Sequence, residues 1–122
     1  MLTSIQYLVP LLHVRDLGRV SEFFCKLGFR EKWRMGDPAN RIMLVLGPNG
    51  EHVVHLIRFE NADDSGARLY LQVPNVDAVY AGCVEKSLDV TDLADRPYGM
   101  RDFDVTGPEG ILIGIGSEPE QI

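Results

Sequence analysis

His13-Val14-Arg15-Asp16-Leu17-Gly18-Arg19-Val20 is answered 59 positions later by Gln72-Val73-Pro74-Asn75-Val76-Asp77-Ala78-Val79. In the same order, Gly47-Pro48-Asn49-Gly50 is answered 60 positions later by Gly107-Pro108-Glu109-Gly110. Two matches at nearly one offset mark a duplication, and a repeat governs the fold before any single residue does. A half of roughly 60 residues buries only about 60% of the surface its unfolded chain exposes, and is marginal alone. Two halves gain by sharing a sheet or a cavity, so the functional site is expected between them.

Outward from the first copy, residues 5–14 read as a strand. Val9, Leu11 and His13 alternate onto one face, and Leu8, Pro10, Leu12 and Val14 onto the other. Asp16 stands at a helix N-cap, Leu17, Val20, Phe24 and Leu27 follow at helical spacing, and Gly28 ends the run. Phe29–Met35, Arg41–Leu46 and His52–Phe59 read as strands, separated by Gly36-Asp37-Pro38 and Gly47-Pro48-Asn49-Gly50 as turns. Asn61-Ala62-Asp63-Asp64-Ser65-Gly66 is polar and turn-rich and reads as the linker. The second half repeats the order: a strand over Arg68–Val73, a helix capped by Asn75 with Val76, Val79 and Cys83 on one face, then strands over Val90–Leu93, Met100–Val105 and Ile111–Ile115. The tail Ser117–Ile122 carries no pattern. The prediction is one α+β domain over residues 1–122, built from two βαβββ modules at about 5–60 and about 67–116.

With 45% hydrophobic and 25% charged residues, the 122-residue chain has the composition of a globular domain. A net charge of −6 argues against nucleic acid, which needs a basic face, and favours a cationic small molecule. No basic leader precedes an apolar run and no stretch is long enough to span a bilayer, so the expectation is a cytoplasmic protein without a membrane partner. Cys25 and Cys83 sit one in each predicted helix, outside any Cys-x-x-Cys pair, and are expected reduced and packed as small hydrophobes.

This duplication resembles the vicinal oxygen chelate superfamily, which includes glyoxalase I, extradiol dioxygenases, fosfomycin-resistance enzymes and bleomycin-resistance proteins. Pro10-Leu11-Leu12-His13-Val14-Arg15-Asp16-Leu17 running into Glu22-Phe23-Phe24-Cys25-Lys26-Leu27-Gly28-Phe29 looks like the family's opening strand, helix and LGF ending. Arg96-Pro97-Tyr98-Gly99-Met100-Arg101-Asp102-Phe103, followed by Gly107-Pro108-Glu109-Gly110, looks like its closing motif. The resemblance implies curved mixed sheets around a cleft, and a homodimer in which two chains complete two clefts. It also implies where the family's metal enzymes hold their ligands, which here fall at Val9, His55, Arg68 and Gly114. A divalent metal needs about three His or carboxylate ligands. One of these four residues can coordinate, so neither a metal nor another cofactor is expected. What the resemblance then implies is the bleomycin-resistance type: metal-independent sequestration of a small planar or cationic ligand. The alternative is a glyoxalase- or dioxygenase-type enzyme with an atypical metal site, for which His13, His55 and Glu51 are the raw material. A dimer without a ligand is a third reading.

For the ligand site, Val9, Leu11 and Leu112 are expected as apolar walls, and His55 and Arg68 as polar contacts. His13 and His55 are either hydrogen-bonded sheet histidines or neutral groups that orient a ligand. No nucleophile or second acid stands beside them, so no catalytic residue is assigned. Arg68, at an inward strand position, either pairs with a carboxylate such as Glu51 or Glu60, or faces solvent in a shifted register, or anchors a ligand carboxylate or carbonyl. Trp33, Tyr70, Tyr98 and Phe103 form a candidate aromatic set, with ordinary core packing as the competing role for Trp33 and Phe103. His52 is expected exposed. Asp63, Asp64, Asp92 and Asp95 are expected in loops, where a cluster at a rim would attract a cation.

Overall fold

The computed structural model describes residues 1–119 and divides into two compact units between Ser65 and Gly66, within the polar linker. In the first unit, β1 (Leu11–Val14) leads into α1 (Leu17–Lys26), β2 (Arg30–Gly36), β3 (Ala39–Leu46) and β4 (His52–Arg58). The sheet order is β1-β4-β3-β2, with β1 parallel to β4 and the other pairs antiparallel. Asp16 caps α1 by accepting the Arg19 N–H at 3.1 Å. Leu17, Val20, Phe23 and Phe24 are buried along one side of α1, which packs on β2, β3 and β4. The sheet meets it with Leu12, Val14, Ile42, Leu44, Val54 and Leu56, all buried. Phe24 sits edge-on to Phe29 at 5.3 Å, and full burial of one such ring stabilises the unit by about 1.5–3 kcal/mol.

The second unit repeats this path with β5 (Arg68–Gln72), α2 (Val76–Glu85), β6 (Asp89–Val90), β7 (Ala94–Asp95), β8 (Arg101–Thr106) and β9 (Leu112–Ser117). Its order is β5-β9-β8-β6, with β7 also on β8 and β5 parallel to β9. Asn75 caps α2 through Ala78 N–H. Phe103, Val105, Ile113 and Ile115 are buried on the helix side, where Tyr80 meets Phe103 edge-on at 5.0 Å. Strand pairing fixes the repeat at 59 residues: Leu11 opposite His55 in the first unit corresponds to Tyr70 opposite Gly114 in the second. Each unit is thus helix-on-mixed-sheet, and the fold class is α+β.

Three expectations need correction. The first strand is four residues long, not ten. His55 N–H bonds to Pro10 C=O, Pro10 has no N–H to return, and the residues before it have no partner strand among the described residues. The strand expected at Val90–Leu93 is two short ones, because Thr91 Oγ1 takes the Asp104 N–H at 2.8 Å and substitutes for the ladder. Cys83 is buried as expected, but Cys25 is exposed. Among the described residues no helix is long and apolar enough to cross a membrane.

Candidate functional site

Each sheet keeps one face free of its own helix, and the strand register assigns the side chains there. On the first sheet, one row across the four strands is Leu11, His55, Met43 and Trp33. The next row is His13, Ile57, Arg41 and Met35. Three of the expected ligand residues of this half, Leu11, Trp33 and His55, therefore fall in one row, with His13 beside them. Val9 precedes β1 and is half-buried. Trp33 stands edge-on to His55 at 5.4 Å, and His13 stacks on Phe59 at 4.4 Å.

His55 is held by a residue that the sequence reading passed over. Arg41 Nε and Nη2 lie 3.1 and 2.8 Å from His55 Nδ1. Arginine only donates, so Nδ1 is the acceptor and the ring proton resides on Nε2. Burial, and next the positive charge of Arg41, hold His55 below the ordinary imidazole range, so it is neutral at pH 7. The available signal was strand alternation: Arg41 and Met43 share a face with period two, and an arginine on that face needs an accepting partner.

On the second sheet the free face holds Arg68 and Leu112 in one row and Tyr70, Gly114 and Asp104 in the next. Arg68 is mostly exposed and pairs within its own unit with Asp104 at 3.4 Å, where the carboxylates expected were Glu51 or Glu60. Asp102, 5% exposed, is the centre of a network. It accepts from Tyr70 Oη at 3.0 Å, from Arg96 Nε at 2.7 Å and from Tyr98 Oη through a short bond. Burial would raise the Asp102 carboxyl, but the bonds from Tyr98, Arg96 and Tyr70 outweigh it and the net shift is downward. The Tyr70 phenol is pushed up to about 12, first by burial and then by its bond to Asp102. Tyr98 is 66% exposed, yet its hydroxyl is anchored, so its ring is presented to solvent in a fixed place.

Tyr70 also explains two glycines. A Cβ at Gly116 would lie 2.0 Å from Tyr70 Oη, and one at Gly114 would lie 2.9 Å from Tyr70 Cδ2. The ring therefore occupies the space above Gly114, where the family's metal ligand would stand. Phe103, placed in the aromatic set, lies on the helix face and is fully buried, which is its packing role rather than a ligand-facing one. Of the four loop acids, Asp64 pairs with Arg15 at 2.8 Å and Asp95, in β7, with Arg101 at 3.1 Å, so two of the four charges are partly neutralised. His52 is exposed as expected. A polar pocket of about 560 Å³ is lined by Asn75, Asp77, Asp95 and Arg101, where Arg101 is already satisfied by both aspartates.

The residues present do not fit the metal that the family's enzymes use. Among the described residues, no three His, Cys, Asp or Glu side chains gather as a ligand set. His55 gives its Nδ1 to a guanidinium, and Tyr70 fills the space over Gly114.

Family comparison agrees with the architecture. The sequence profile of the Glyoxalase/Bleomycin resistance protein/Dioxygenase superfamily matches residues 4–115, and the chain belongs to that superfamily. Curated proteins offer no significant sequence match. A bleomycin resistance determinant encoded on transposon Tn5 has a similar structure, with TM-score 0.78 and 16% identity, covering 95% of this chain and all of that one. The bleomycin-binding protein of Streptomyces verticillus, solved with copper(II)-bleomycin, gives TM-score 0.71 and 22% identity over 98% of this chain and all of that one. A glyoxalase-related enzyme from Clostridium phytofermentans gives TM-score 0.78 and 16% identity over 95% and 97% of the two chains. At these identities the likeness is one of fold, and the fold hosts both binding proteins and enzymes.

Proposed function

We propose that this protein binds a small, partly planar molecule without a metal ion and holds it rather than transforming it. The observation that carries this reading is the row Leu11, His55, Met43 and Trp33 on the helix-free face of the first sheet. It supplies apolar and aromatic surface with one oriented polar group, the usual make-up of a small-molecule site. The bleomycin-binding and antibiotic-binding relatives of the same fold support it. The poor metal-ligand set favours binding over Lewis-acid chemistry.

Thermal unfolding with candidate ligands is the test, starting with bleomycin-type glycopeptides and then small aromatic carboxylates. A true ligand at 100 times its Kd stabilises the fold by about 2.7 kcal/mol. Trp33→Ala should weaken it by on the order of 1 kcal/mol, the scale of an aromatic pair beyond its buried area. EDTA should change neither the melting temperature nor the ligand shift. A chelator that lowers both, or a Trp33→Ala variant with unaltered affinity, would contradict the reading.

A homodimer belongs to the same proposal. Leu2, Ile5, Tyr7 and Leu8, in the segment that precedes β1, are each more than half exposed. A second copy would bury such a strip in a two-fold interface. Sedimentation at micromolar concentration is expected to give twice 13.6 kDa, and a mass of 13.6 kDa would overturn it.

A further inference from the structure

We infer that Arg41 and His55 form an anion-recognition pair, so that the molecule taken by the first sheet's free face is a planar aromatic carboxylate or an anion of the same kind. The inference rests on the planar-binding reading above and names the ligand class within it. Among the described residues, Arg15, Arg34, Arg68, Arg96 and Arg101 each form an ion pair with a carboxylate. Arg41 differs: its partner is the neutral imidazole of His55. Two of its N–H groups are spent on Nδ1, which leaves three donors and a whole positive charge on a half-buried face.

The same contact fixes what His55 can offer. With Nδ1 occupied as an acceptor, Nε2–H is left as a donor. The two side chains therefore present donors only, and no acceptor, toward whatever binds between them. A cationic ligand would meet the guanidinium unscreened, whereas a carboxylate can accept from both groups in the charge-assisted, planar manner that arginine favours. The aromatic part has its surface nearby, since Trp33 is edge-on to His55 and Met43 lies opposite His55 in the strand pairing. The net charge of −6 had pointed to a cationic ligand, but it is a property of the whole chain, and the charged residue in the two rows of this face is Arg41.

Three probes of one shape separate the possibilities: 2-naphthoate, 2-naphthamide and 2-naphthylmethylammonium, titrated into the full-length protein by calorimetry. Naphthoate should bind at least tenfold more tightly than the amide, with the ammonium weakest. Arg41→Met should remove the preference, weakening naphthoate at least tenfold more than it weakens the amide. A direct readout accompanies it: long-range ¹⁵N spectra of His55 should show the Nε2–H tautomer in the wild type and a tautomer mixture in Arg41→Met. Equal binding of naphthoate and amide overturns the anion pair and leaves the planar site standing. So does loss of the preference in Arg68→Met with Arg41→Met unaffected. If none of the three binds, the planar-binding reading itself falls, and the anion pair with it.

Discussion

Asp102→Ala should destabilise the protein by on the order of 2 kcal/mol, measured by urea unfolding, because it removes the buried carboxylate on which three donors converge. Tyr70, Tyr98 and Arg96 all donate to Asp102. Removing the acceptor leaves the Tyr70 hydroxyl, on a side chain about half exposed, without its partner. Arg96 is a third exposed and Tyr98 more so, hence both can turn to water, and the loss stays well below three full charge-assisted bonds. The sign of the pH dependence follows from the carboxyl's lowered pKa. Its stabilisation is fully present above the unfolded carboxylate pKa of about 4 and is lost as pH falls through the still lower folded value. Wild-type protein should therefore lose stability on acidification below about pH 4 more steeply than Asp102→Ala. Glu31 and Glu51, also lowered, contribute equally to both proteins and cancel in the comparison. A variant with wild-type stability and the wild-type acid slope would show that the network does not hold this sheet.

Much of the fold was legible because its signals are local. Asp16 and Asn75 announced helix starts, and Leu17, Val20 and Phe24 recurred at helical spacing. Alternation was also readable, since period two decides which residues of a strand go together. What alternation leaves open is which of the two faces the helix will cover, and that is why Phe103 was grouped with ligand-facing aromatics although it packs on Tyr80. The site was less legible because it depends on register between strands. That Met43 lies opposite His55, or that Arg41 reaches it diagonally, follows from pairing across the hairpin and not from either strand alone. The same holds for Arg68, whose partner Asp104 is 36 residues away. The N-terminal overrun has a different origin. Residues 5–10 have strand-like composition, but a strand exists only where another offers it N–H and C=O groups, and β4 does so from Pro10 onward.

Gly116→Ala should cost about 1–3 kcal/mol and return the Tyr70 phenol from about 12 toward its ordinary value near 10. Neither Gly116 nor Gly114 has a left-handed backbone, so alanine is conformationally acceptable at both positions, and the argument is one of space. At Gly116 the new Cβ would lie 2.0 Å from Tyr70 Oη and 2.8 Å from Asp102 Cβ. Something must move, and the Tyr70 ring is the part that can. Displaced, it surrenders the two largest causes of its raised pKa, the burial first and the Asp102 bond second. Absorbance titration of tyrosinate should show one phenol shifting downward against the wild type. The double variant Tyr70→Ala with Gly116→Ala should lose less stability than the two single changes summed, because the first removes the atoms that the second collides with. Strict additivity, or an unchanged titration in Gly116→Ala, would mean that the ring is not seated on the glycines. Confirmation would give those glycines a definite purpose: in the second unit the place corresponding to His55 is kept empty of side chain so that a tyrosine can lie across the sheet.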